Sequence, residues 1–205
     1  MNFLNSKPEV GKKEKPVTKP SCQEAEEAVR TLLRWAGDDP LREGLLDTPS
    51  RVVRAYSEWF AGYNEDPEKI LERTFEEVAG YSEIVTLKDI RFESYCEHHL
   101  APIIGIVHVA YIPTERVVGI SKIARLVDAF SKRLQVQEKM TSQIANTLQS
   151  VLKPLGTAVL VEGDHHCMCT RGVHKTTSTM ISSAFTGDFK KKQELKNEFY
   201  KIVGK

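Results

Sequence analysis

Residues 103–134 read IIGIVHVAYIPTERVVGISKIARLVDAFSKRL, and the hydrophobic period changes inside this stretch. Residues 103–112 are rich in β-branched side chains and read as a strand. Pro113-Thr114 turns the chain. Beyond the turn, Ile123, Leu126, Val127, Phe130 and Leu134 fall on one helical face, with Ser121 expected as the helix cap.

The same logic extends outward. Residues 83–95 read as a second strand before the first. A further helix is expected from about Gln137 to Leu152, with Met140, Ile144, Leu148 and Val151 inward and Pro154 and Gly156 closing it. Residues 157–162 and 176–185 read as two more strands. A last charged helix, about 189–202, keeps Leu195, Phe199 and Ile202 on one face. The order strand–strand–helix–helix–strand–strand is that of an α+β domain, with four strands and two long helices in two layers. Such a sheet has two edges, and edges invite pairing with another subunit.

Upstream of the strands the pattern is helical. Ser21 and Glu24 form a capping-box signature ahead of Ala25, Ala28, Val29, Leu32, Leu33 and Ala36, and Gly37 ends the run. Thr48-Pro49 starts a second helix with Val52, Val53, Tyr56 and Phe60 inward, and Asp66-Pro67 a third. Residues 1–20 hold Lys7, Lys12, Lys13, Lys15 and Lys19 with three prolines and few apolar residues, the composition of a disordered basic tail. The expected organisation is therefore a tail over 1–20, a helical segment over 21–80 and an α+β domain over 81–205.

The chain has 205 residues, 40% hydrophobic and 28% charged, with a net charge of +1. That balance excludes a protein that binds polyanions through bulk charge, so any phosphate site must come from local clustering. No apolar run reaches the roughly 20 residues of a membrane span, and the N-terminus lacks a secretory h-region. A cytoplasmic protein without a membrane or nucleic-acid partner is expected.

Cysteine usage points to chemistry. Of four cysteines, Cys96 is followed by Glu97-His98-His99 and Cys167 is preceded by His165-His166, so four of the six histidines flank two of the thiols. In a reducing compartment such groups serve as ligands or catalysts more often than as disulfides. Zinc favours thiolate and imidazole, and catalytic zinc keeps three protein ligands with one open position. Cys96 and His99, three apart, face the same way in a helical turn or tight bend, which leaves His98 beside the metal. Cys167 is the candidate third ligand, with Cys169 and His165 as alternatives. A four-ligand structural site from Cys96, His99, Cys167 and Cys169 is a further alternative, and buried thiols beside solvated histidines the plainest one. Three ligands and an open position give a Lewis acid, and free histidines beside it suit proton transfer near neutral pH, a combination that points to hydrolysis.

Basic residues gather near these motifs. Lys122 and Arg125 lie at i and i+3 on the first turns of a helix, where free N–H groups attract anions. Arg171 follows the Cys167 cluster, and Arg51 opens the second helix. Glu138 reads as an ordinary helix-start acid. A carboxylate also accepts two parallel hydrogen bonds, which matches the adjacent N1–H and N2 donors of guanine and not the edge of adenine.

The segments CEHHLAP, YIPTERVVGISKIARLVDAFSKRLQVQEKMTSQIA, HHCMCTRGVHKTTSTM and DTPSRVVRAYSEWF together resemble the GTP cyclohydrolase I family, over about residues 22–203. The resemblance implies hydrolysis of the imidazole ring of GTP at C8, formate release, and rearrangement to 7,8-dihydroneopterin triphosphate. It implies Cys96, His99 and Cys167 as zinc ligands, His98 and His165 as catalytic histidines, and Glu138 as the guanine anchor. It also implies Lys122, Arg125, Arg171 and Arg51 as triphosphate contacts, with Ser121 near the ribose-phosphate end. The fold it implies is the tunnelling fold, five subunits closing a barrel and two pentamers stacking as a homodecamer with active sites between subunits. Cys169 stands where the family motif does not require cysteine and is expected to be dispensable. A structural zinc protein acting through the basic tail, and a tunnelling-fold relative acting on another purine or pterin, are the alternative functions.

Overall fold

A computed structural model of the chain describes residues 18–75 and 81–205. The expected tail, save residues 18–20, and the boundary expected at Gly80 lie outside the described residues. Packing divides the chain into two compact units, one ending at Ala55 and one running from Tyr56 to Lys205.

In the first unit, α1 (Cys22–Trp35) starts with the expected capping box. Ser21 Oγ accepts from the Glu24 N–H at 3.2 Å, and the Ser21 N–H donates to the Glu24 carboxylate at 2.8 Å. None of the residues of α1 is buried, and Leu32 and Trp35 are 64% and 88% exposed. The second helix, α2 (Thr48–Trp59), crosses from one unit into the other.

The second unit continues with α3 (Pro67–Leu71), whose N-cap Asp66 accepts from the N–H groups of Glu68 and Lys69. Next come β1 (Thr74–Phe75), β2 (Val85–Cys96), β3 (Pro102–Ile112) and β4 (Val117–Val118). These are followed by α4 (Ile120–Ser131), β5 (Leu134–Gln135), α5 (Gln137–Leu152), β6 (Gly156–His165) and α6 (His166–Cys169). The chain ends with β7 (Thr179–Phe185), α7 (Gly187–Lys191) and α8 (Gln193–Val203). Among the described residues no helix is long and apolar enough to cross a membrane.

The main sheet runs β5-β2-β3-β6-β7. Its four long strands are antiparallel, and β5 adds a two-residue parallel edge beside Tyr95 and Cys96. β1 and β4 pair separately. Alternation along the strands sorts two cores. On one face Phe92, Val107, Val109, Tyr111, Val159 and Val161 pack with Ile123, Leu126 and Val127 of α4 and Met140, Ile144 and Leu148 of α5. Each such fully buried aliphatic or aromatic side chain contributes about 1.5–3 kcal/mol. On the other face Ala110, Ile112, Ala158 and Leu160 meet Phe189, Phe199 and Val203. The expected two layers therefore gain a partial third from the C-terminal helices.

Four local expectations are corrected. Ser121 does not cap α4: the N-cap is Gly119, and Ser121 sits exposed in the first turn. Leu134 is not on α4, which stops at Ser131. The Arg133 guanidinium donates to the carbonyls of Gly62 at 3.0 Å and Glu65 at 3.2 Å, and the Leu134 N–H donates to Tyr63 Oη at 3.2 Å, so the chain is drawn into β5. Tyr56 is 40% exposed rather than inward. The last helix breaks at Lys192, where the backbone is extended, and within α8 the inward face follows the i, i+4, i+8 row Leu195, Phe199, Val203, so Val203 is buried where Ile202 was expected.

Candidate metal centre and its surroundings

β2 ends at Cys96 and β3 starts at Pro102, with Tyr95 facing Pro102 across the hairpin. The connecting residues fold tightly. The Leu100 N–H donates to the Cys96 carbonyl at 2.9 Å, and the Cys96 N–H donates to the Ala101 carbonyl at 2.9 Å. Leu100 takes φ 54° to close the turn, a conformation an L-residue adopts only under tertiary constraint. β5 braces the bend from outside, where the Glu97 N–H donates to the Gln135 carbonyl at 3.1 Å. This bend places Cys96 and His99 on one side.

The third member comes from register. Ile103 pairs with His165, so β6 ends beside the start of β3 and α6 begins at the hairpin tip. There Cys96, His99 and Cys167 bring one ligand atom each to within 4.8 Å of one another. Cys96 is buried, Cys167 half-buried and His99 exposed. Burial and the neighbouring Cys96 thiol push the Cys167 thiol above its ordinary value, against a smaller pull from Arg171. Two thiols held together at such cost to ionisation, with an imidazole alongside, are the donor set a thiophilic cation deprotonates and fits.

Cys169 lies outside this group, its thiol directed at the Lys175 carbonyl at 3.4 Å. His98 also lies outside it, its Nδ1 3.8 Å from Cys96 Sγ and its Nε2 4.0 Å from Glu97 Oε1. Arg171 is drawn in, donating from Nη1 to His99 Nε2 at 3.2 Å.

His165 occupies the last position of β6, half-buried, with Nε2 2.9 Å from Gln137 Oε1. Burial lowers its pKa below the usual imidazole value, opposed by the charges of Glu138 and Asp164. Glu138 itself is exposed in the first turn of α5. The turn-and-strand geometry thus gathers Cys96, His98, His99, His165, Cys167, Arg171 and Glu138 at one end of the sheet.

Lys122 and Arg125 lie on the first turns of α4, whose N-cap Gly119 offers no side-chain partner to the free N–H groups. Among the described residues neither forms an ion pair, and no hydrogen bond links them or Ser121 to the thiol–imidazole group. Arg51, in the first unit, pairs with Asp47 at 3.1 Å. Sequence reasoning missed Gln137. A glutamine next to a helix-start glutamate carries no signal of its own, and only the packing shows its amide to be buried.

The family model for GTP cyclohydrolase I matches residues 25–204. GTP cyclohydrolase 1 of Maricaulis maris is 59% identical over 186 residues, 91% of this chain and 91% of that protein. GTP cyclohydrolase 1 of Hyphomonas neptunium is 59% identical over 188 residues, 92% and 91% of the two chains. GTP cyclohydrolase 1 of Brucella canis is 57% identical over 185 residues, 90% and 87% of the two.

Proposed function

The chain belongs to the GTP cyclohydrolase I family, and on that premise we propose that it converts GTP and water to 7,8-dihydroneopterin triphosphate and formate at the end of the sheet that holds Cys96, His99 and Cys167. The observation that carries this reading is that group, two thiols and an imidazole within 4.8 Å on the rim of a cluster of histidines. Its donors suit zinc, and a zinc ion held there supplies a Lewis acid beside the substrate.

The remaining work falls to side chains. C8 leaves as formate only when its bonds to N7 and N9 both break, and each nitrogen then needs a proton. His98 and His165 flank the group and serve as the proton carriers. Glu138, close enough to bias the charge on His165, accepts from N1–H and N2 of the guanine and holds the five-membered ring toward the histidines. Arg171 stands beside His99 and neutralises the triphosphate, together with Lys122, Arg125 and Arg51; Ser121 meets the ribose-phosphate end.

Assembly completes the site. Among the described residues β7 pairs only with β6, and β2 is covered on its outer side only by the two-residue β5, so both edges can take a strand from another subunit. Exposed Leu32 and Trp35 on α1 add an apolar surface of the kind subunit contacts cover. Both features support the expected barrel and a decamer of two stacked pentamers, in which Arg51, Lys122 and Arg125 reach a neighbouring chain's thiol–imidazole group. The four free thiols suit a reducing cytoplasm.

The test is formate and dihydroneopterin triphosphate release from GTP by metal-analysed protein, with a chelator-stripped control. One formate per pterin, lost on stripping and restored by zinc, is expected. Full zinc occupancy with GTP left intact would overturn the assignment.

A further inference from the structure

Gln137 opens α5 one residue before Glu138 and is 1% exposed. A buried primary amide has two hydrogens to donate and one oxygen that only accepts. Its Nε2 donates to the backbone carbonyls of Val161 at 3.2 Å and Met180 at 3.0 Å, with Ser182 Oγ at 3.1 Å. Carbonyls cannot donate, so the nitrogen end of the amide is fixed on the β6–β7 side. The oxygen end is left facing His165 Nε2 at 2.9 Å. His165 Nε2 therefore carries a hydrogen, and Nδ1, which makes no hydrogen bond among the described residues, holds the bare lone pair.

The neighbouring hydroxyls agree with that direction. Thr141 Oγ1 donates to the Gln137 main-chain carbonyl at 2.7 Å, so it accepts from Ser182 Oγ, also at 2.7 Å, and Ser182 keeps a lone pair that shares one of the two Gln137 amide hydrogens with a strand carbonyl. Gly163 makes the room: a Cβ there would stand 2.6 Å from Gln137 Oε1 and 3.1 Å from Ile103 Cγ2.

We propose that Gln137 is a positioning residue that holds His165 as the Nε2–H tautomer and leaves Nδ1 as the nitrogen that exchanges a proton with the substrate. This rests on the assignment of His165 as a proton carrier above. A neutral amide suits the role, because it orients the ring without adding a charge that would hold the proton.

Neutron diffraction from zinc-loaded, deuterium-exchanged crystals at about pH 8.5, above the ordinary histidine range, reads the tautomer in the unsubstituted protein. One deuteron on His165 Nε2 and none on Nδ1 is expected; a deuteron on Nδ1, with the Gln137 amide reversed, overturns the proposal. Gln137→Met removes the acceptor at similar volume, and its kcat should fall about 10²-fold while zinc content and KM for GTP are retained. A kcat equal to that of the unsubstituted enzyme overturns the positioning role. His165→Ala with undiminished turnover would instead defeat the catalytic assignment on which the proposal rests, with the diffraction result left standing.

Discussion

Two histidines face opposite sides of the same sheet and differ in one hydrogen bond. His108 on β3 is 1% exposed; its Nδ1 accepts from the Asp89 N–H at 3.2 Å and its Nε2 meets Glu162 Oε1 at 3.3 Å. Lys205 Nζ closes the row on the other Glu162 oxygen. His165 on β6 likewise spends Nε2 on a partner, Gln137, but its Nδ1 has none among the described residues. Both rings are oriented, and only one retains a lone pair for chemistry. Asp89 sits at φ 60° in the irregularity of β2 between Leu87 and Ile90, and that kink delivers the N–H that satisfies His108. A histidine with both nitrogens engaged holds a fold together; one with a single nitrogen engaged is positioned to act.

Substitutions sharpen this contrast. The largest effect is expected at the metal group itself: Cys96→Ala or Cys167→Ala should lose both zinc, by elemental analysis, and formate release. His98→Ala should keep its zinc and lose turnover by about 10²–10⁴-fold, the span of general acid–base catalysis. A metal-free His98→Ala protein would break the division between ligands and proton carriers. His108→Ala should leave kcat near that of the parent and lower stability by about 1–3 kcal/mol, read by calorimetry, because Glu162 loses a buried partner. A large drop in kcat for a fully folded His108→Ala enzyme would erase the distinction between the two rings. Smallest of all is Cys169→Ser, which keeps a donor for the Lys175 carbonyl and should retain zinc and activity.

Much of the site was legible in the sequence because its signals are local. Cys96 and His99 lie within one turn, the Ser21–Glu24 box is read from spacing, and the apolar period of α5 gives its ends at Gln137 and Leu152. What escaped was tertiary. Leu134 fits the period of α4, but Arg133 is captured by the carbonyls of Gly62 and Glu65, some seventy positions upstream, and the helix stops short. Ser121 has a capping side chain, yet the chain enters α4 at Gly119, so the hydroxyl falls in the first turn. Gln137 owes its role to acceptors on β6 and β7 that no window around α5 contains. The pattern of Arg51, Lys122 and Arg125 along one chain carries no information on contacts between chains, so the proposed part of these residues in a shared site lies beyond any reading of the sequence.

The most direct test of the central claim is X-ray absorption at the zinc edge of the loaded protein. The account predicts two sulfur neighbours at about 2.3 Å and one imidazole nitrogen at about 2.0–2.1 Å, with the remaining position taken by a light atom. Three sulfur neighbours would bring Cys169 into a closed structural site and contradict it.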